Sequence, residues 1–160
     1  MKTTKKILFV VLALMLVLTV VFGAVACKDT KEPQSNTSVQ LKEIDSLKIS
    51  EDGAVVITLD KTVMADVTGK HLVDYMNALK DQGYFVYEEK SGLVTSVMNI
   101  KPQASNEYWF LYTDDEENSS TQWGQYDAGD KTYGSANYGI TDLPLKEGKT
   151  YIFKIGVSNW

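Results

Sequence analysis

No arginine occurs in the 160 residues, and cysteine and histidine occur once each. Without arginine the chain lacks the planar fork that grips phosphates and carboxylates through paired hydrogen bonds, so strongly anionic ligands are poor candidates. The lone Cys27 excludes a disulfide within the chain. The lone His71 has no second histidine with which to build a zinc site. A glycine-rich phosphate loop and a nucleophile elbow are missing as well. These absences leave no nucleophile beside a base and no metal set, and they predict a protein that is not an enzyme, with no catalytic or metal-binding residues. Acids outnumber bases by 21 to 16, which sets nucleic acid aside as a partner.

What is present begins with Lys2, Lys5 and Lys6 ahead of an uncharged apolar run, Ile7 to Phe22, the pattern of a secretory signal. The run closes in Gly23-Ala24-Val25-Ala26-Cys27, which resembles the lipobox of bacterial lipoproteins. That resemblance implies a signal peptide over 1–26, lipidation of Cys27, and a protein held by its lipid on the extracellular face of the cell membrane. The alternative is an uncleaved anchor, since about 20 apolar residues can span a bilayer. Residues 27–45 are polar and charged and read as a tether that solvates rather than folds. Residues 46–160 remain as one domain with one core.

Within that domain, "GAVVITLD" (Gly53 to Asp60) is β-branched enough for a strand, and "LKIS" before it can pair with it. Thr68 is a candidate cap for a helix to about Gln82, with Leu72, Tyr75, Met76 and Leu79 on one buried face and Gly83 ending it. Strand patterns follow from Tyr84, Leu93, Glu107 and Thr150. About five strands and one helix predict an α+β fold, the helix laid across one face of a mixed sheet.

Aromatic residues crowd the stretch from Tyr108 to Tyr138. Alternation puts Tyr108, Phe110 and Tyr112 on one face of their strand and Trp109 and Leu111 on the other, so one set is core. Residues 113–138 read as a long polar loop, and aromatics in such a loop, Trp123 and Tyr126, serve either contact with a ligand or partner or docking onto their own domain. The acids Asp114, Asp115, Glu116 and Glu117 lack the glycine turn and distal bidentate acid of a calcium loop and read as solvated.

The segments "LVDYMNALKDQGYFVYEEKSGLVTSVMNI", "NEYWFLYTDD" and "GITDLPLKEGKTYIFKI" resemble, in that order, the helix, the central strands and the closing hairpin of the transcobalamin-like C-terminal domain. This small domain of vitamin carriers also occurs in lipoproteins of Gram-positive Firmicutes. The resemblance implies a β-grasp-like mixed sheet crossed by one helix, and a small ligand for which cobalamin or another corrinoid is the leading candidate. Carried over, it points to Tyr108 and Trp109 and to Gly139, Ile140, Thr141 and Asp142. With Trp123, Tyr126 and Tyr138 these form the candidate ligand-binding set. The competing reading is an interaction module that offers the aromatic and acidic segment 113–138 to a protein, a transporter or the cell wall. A concave pocket near Trp109 and Ile140 would favour the ligand; a protruding segment would favour the partner.

Overall fold

In the computed structural model, which describes residues 40–158, the chain enters the fold earlier than the expected boundary at 46. The Lys42 N–H donates to the Gly83 carbonyl at 2.9 Å, and Ile44 packs against the core. The last residues of the expected tether therefore belong to the domain. The expected signal peptide, Cys27 and most of the expected tether lie outside the described residues. Among the described residues no helix is long and apolar enough to cross a membrane.

The elements in order are β1 (Leu47–Ile49), β2 (Val55–Thr58), α1 (Leu72–Asp81), β3 (Tyr87–Lys90), β4 (Leu93–Val97), β5 (Glu107–Thr113), β6 (Ser119–Ala128), β7 (Lys131–Ala136) and β8 (Thr150–Val157). Six strands form one sheet in the order β1-β2-β8-β5-β7-β6, and β3 and β4 form a separate hairpin. Every ladder is antiparallel, so the parallel pairing a mixed sheet would contain does not occur among the described residues. The fold is α+β, sheet-rich, with one short helix. Its eight strands exceed the expected five or so because "LKIS" does form a strand, β1, and the segment read as a loop supplies β6 and β7.

The helix buries the residues its periodicity predicts, Leu72, Tyr75, Met76 and Leu79. It does not begin at Thr68, because Gly69 follows with φ of 67°, outside the helical region. His71 is the N-cap instead, and its N–H donates to the Asp74 carboxylate at 2.9 Å. Two further amides of the first turn find carbonyls from a distant segment: Leu72 N–H bonds Leu143 and Val73 N–H bonds Ile140, both at 2.9 Å. Four orphan donors are the usual cost of starting a helix, and here the chain's own later turn meets two of them.

One face of the sheet closes against α1. Register places Val55 beside Phe153, Ile57 beside Tyr151, and Trp109 beside Ile155, all on this side with Leu111. These residues join the helix face, Phe85, Ile140 and Leu143 in the main core cluster. Each large side chain fully buried here contributes about 1.5–3 kcal/mol. The Tyr75 hydroxyl sits at the edge of this core, accepts from the Asp60 N–H at 2.8 Å, and donates to the Thr58 carbonyl at 3.2 Å. Burial raises its pKa, so it stays a neutral tie between helix and sheet.

Candidate functional site

The opposite face of the sheet carries Tyr108, Phe110 and Tyr112 of β5 with Ile152 and Lys154 of β8, as the register requires. Its cover is the hairpin β6–β7. The turn is Gly129-Asp130 between paired Ala128 and Lys131, with Gly129 at φ of 62°, as a type II′ turn requires at its first central position. Only Tyr112 and Thr113 of β5 pair with β7, through Ser135 and Gly134. The rest of the hairpin continues past the end of β5 and coils back over the face.

One hydrogen bond measures that coiling. The Tyr126 hydroxyl of β6 donates to the Asp52 carboxylate, in the turn between β1 and β2, at 3.1 Å. In a flat sheet, four strand spacings would separate β6 from β2 by about 19 Å, far beyond the reach of a tyrosine. The hairpin therefore lies across the sheet, where Tyr126 stacks near Tyr112 with ring centroids 6.0 Å apart. A small second cluster forms under it, with Ala54, Tyr133 and Ile152 buried and Val56, Tyr112 and Tyr126 packed beside them. Asp52 also binds Lys154 at 2.9 Å. The Ser50 hydroxyl and then the Lys154 ammonium hold its carboxyl well below the usual carboxylate range.

The acidic residues at the hairpin's base are fasteners. Asp114 accepts from the Thr150 N–H at 2.7 Å and pairs with Lys131, and its carbonyl accepts from Lys149 at 3.0 Å. Asp115, 2% exposed, accepts from the Asn118 amide at 2.6 Å and from Lys146 at 3.2 Å. Burial pushes the Asp115 pKa up, but the Asn118, Lys146 and Glu117 N–H hydrogen bonds outweigh it and the net shift is downward. Lys146 also bonds Glu117 at 2.5 Å. No group of three or more histidine, cysteine or acidic side chains among the described residues is placed to hold a metal ion.

Between the base and the tip, β6 is interrupted. Ser120 pairs with Ser135 and the next pair is Gln125 with Gly134, so Thr121, Gln122, Trp123 and Gly124 bulge out of the ladder. Gly124 takes a φ of 139°, where a side chain would strain the backbone. The bulge leaves Trp123 78% exposed, and no other large hydrophobic among the described residues is so exposed. Beside it, Thr121 and Gln122 help line a groove of about 710 Å³ with Thr113, Asp114, Ser119 and Lys131.

The other expected site residues do not gather around Trp123. Trp109 is core, on the helix side, and its indole N–H has no hydrogen-bond partner among the described residues. Tyr108 is 41% exposed on the hairpin side, so the two neighbours of the motif face opposite ways. Ile140 is buried and its carbonyl caps α1; the Gly139 carbonyl accepts from the Asp142 and Leu143 amides. Thr141 and Asp142 are exposed and bond each other at 2.8 Å. Tyr138 is half exposed at the end of β7, and Gly139 beside it lies near the Gly92 carbonyl of the β3–β4 turn. Neither Trp109 nor Ile140 lines the concavities at β1, at the hairpin base or beside Gly148. The sequence did carry a signal for the missed hairpin, a Gly-Asp pair flanked by Tyr126 and Tyr133.

Compared with known proteins, the chain matches no family model, no curated protein and no solved structure. Its function must be argued from its own residues.

Proposed function

We propose that this protein is a non-enzymatic interaction module, held by a lipid at Cys27 on the outer face of the cell membrane, that binds a protein or cell-wall partner through the Trp123 bulge. The observation that carries the reading is the contrast within one hairpin. Tyr126 and Tyr133 turn inward and dock, while Trp123, three residues from Tyr126, projects into solvent from a strand fastened at base and tip. A large aromatic side chain held open on an ordered element offers contact area at little entropic cost.

The test is photo-crosslinking on producing cells, with a benzophenone amino acid placed at position 123 of the full-length chain. A high-mass adduct is expected at 123 and not at Leu93, an exposed apolar residue of the β3–β4 hairpin. No adduct, or equal adducts at both positions, would sink the reading.

A second reading, capture of a small ligand with a corrinoid as the leading candidate and the transcobalamin-like β-grasp domain as its frame, has one observation in its favour. The buried Trp109 N–H is a donor without an acceptor among the described residues, a state that costs about 1–3 kcal/mol and that a ligand could relieve. Saturable quenching of tryptophan fluorescence by cobalamin, abolished by Trp109→Phe, would support it. A flat titration to about millimolar concentration removes it.

A further inference from the structure

The groove beside the bulge has a lining whose chemistry narrows the partner. It holds two carboxylates, Asp114 and Glu116, and two ammonium groups, Lys131 and Lys149, so its formal charges balance. Asp114 and Lys131 are paired with each other, while Glu116 and the Lys149 ammonium, which donates to the neutral Asp114 carbonyl, leave one charge of each sign. The remaining lining has no large apolar side chain; the Ser119 and Thr132 hydroxyls already donate to the Asp115 carbonyl and the Asp127 carboxylate and keep acceptor capacity, while Ser120, Thr121 and the Gln122 amide can donate and accept. A charged ligand of either sign would meet one like charge there as well as one opposite charge. An apolar ligand would strand the hydroxyls without partners.

From this lining and its rim we infer that the groove and Trp123 together form a binding site for an uncharged oligosaccharide. Sugar hydroxyls, like those of Ser120 and Thr121 in the lining, are donors and acceptors at once, so each can exchange water for a groove group without leaving either unpaired. Trp123 is not part of the lining but follows directly on Gln122, which is, and its exposed indole offers the apolar surface that the groove lacks. The face of its indole is electron-rich and attracts the C–H groups on the apolar side of a pyranose ring. The groove, about 710 Å³, falls in the size range of ordinary ligand sites and is open to solvent. The inference rests on the interaction-module reading and names the partner's chemistry.

The test uses the full-length chain in detergent micelles and six probes: cellohexaose, maltohexaose, hexa-N-acetylchitohexaose, xylohexaose, the anionic hexagalacturonate and the cationic hexaglucosamine. Binding is followed by calorimetry and by tryptophan emission. At least one neutral hexasaccharide should saturate below about 10 mM, with both charged sugars at least about tenfold weaker. Trp123→Ala should weaken it by about tenfold or more and Gln122→Ala by a smaller factor, whereas Leu93→Ala should change nothing. Trp123 and Gln122 are exposed and outside the core, so both variants should keep the parent circular dichroism and urea midpoint. The inference is overturned if no neutral sugar saturates, if Trp123→Ala binds as well as the parent, or if the charged sugars bind equally. A protein adduct at position 123 combined with no sugar binding would overturn the glycan alone, and the absence of both would remove the module reading with it.

Discussion

On the helix side of the sheet, Tyr151 and Phe153 of β8 lie under α1 in a cluster of seventeen buried side chains; on the other side their neighbour Ile152 lies under a hairpin with two buried companions. The first cover is held by apolar packing, with polar ties at its margin. The second is held by carboxylates along its length: Asp115 at the base, Asp114 on Lys131 beside the turn, and Asp52 on Tyr126. The second arrangement lets a small domain hold an aromatic side chain open. A helix held by its apolar stripe buries its large residues, whereas a hairpin held by carboxylates can leave its bulge free for contact.

That comparison can be broken most forcefully from the helix side. Phe153→Ala removes a side chain that is almost wholly buried between Val55 and Leu111, and should lower unfolding free energy by about 3–5 kcal/mol, read as a fall in the urea midpoint. A loss below about 1 kcal/mol would mean that this face is not the main source of stability.

At the hairpin base, Asp115→Ala strips acceptors from the Asn118 amide, the Glu117 N–H and Lys146, and should cost about 2 kcal/mol. Hydrogen exchange should quicken across β6 and β7 while α1 amides keep their protection. Uniform acceleration through the whole domain would show that the hairpin is not a separable cover.

Acid should act in the same direction. Asp115 and Asp52 both have folded pKa values lowered below the unfolded value of about 3.9. Their stabilisation is therefore complete above about pH 4 and is lost as pH falls through the folded values, because the unfolded chain binds protons first. NMR signals of Tyr126 and Tyr133 should shift below about pH 4 before those of Tyr75 and Phe85; simultaneous loss would contradict the assignment. The smallest effect belongs to Tyr126→Phe, which removes only the hydroxyl on Asp52. It should cost about 1 kcal/mol or less, seen as several-fold faster exchange at Gln125–Lys131 with the urea midpoint nearly unchanged.

The helix face was legible in the sequence because Leu72, Tyr75, Met76 and Leu79 recur at helical spacing and all four are buried. The helix start was not, since a glycine at positive φ and two carbonyls from residues 140 and 143 decide it. β6 escaped notice for a different reason. Its four-residue bulge breaks the two-residue period, and neither of its faces is consistently buried. The acids at 114 and 115 looked solvated because their partners, Lys146, Lys149 and Thr150, lie about thirty positions away in sequence and only meet them in the folded sheet. Trp109 and Trp123 were equally prominent as residues; pleat parity buried one and a bulge exposed the other.

The entry of the chain has a mechanical consequence. If the protein is tethered through its N-terminus, any pull on a bound partner is carried by residues 41–45 and then by β1, a three-residue edge strand whose first pair is Leu47 with Ile57. Load applied at that end reaches the short β1–β2 ladder before the longer β5–β8 ladder. The Lys42 bond to Gly83 stands in front of it and takes the strain first. Under tension the domain should thus yield at the edge nearest its anchor, while β8, β5 and the fastened hairpin keep their grip.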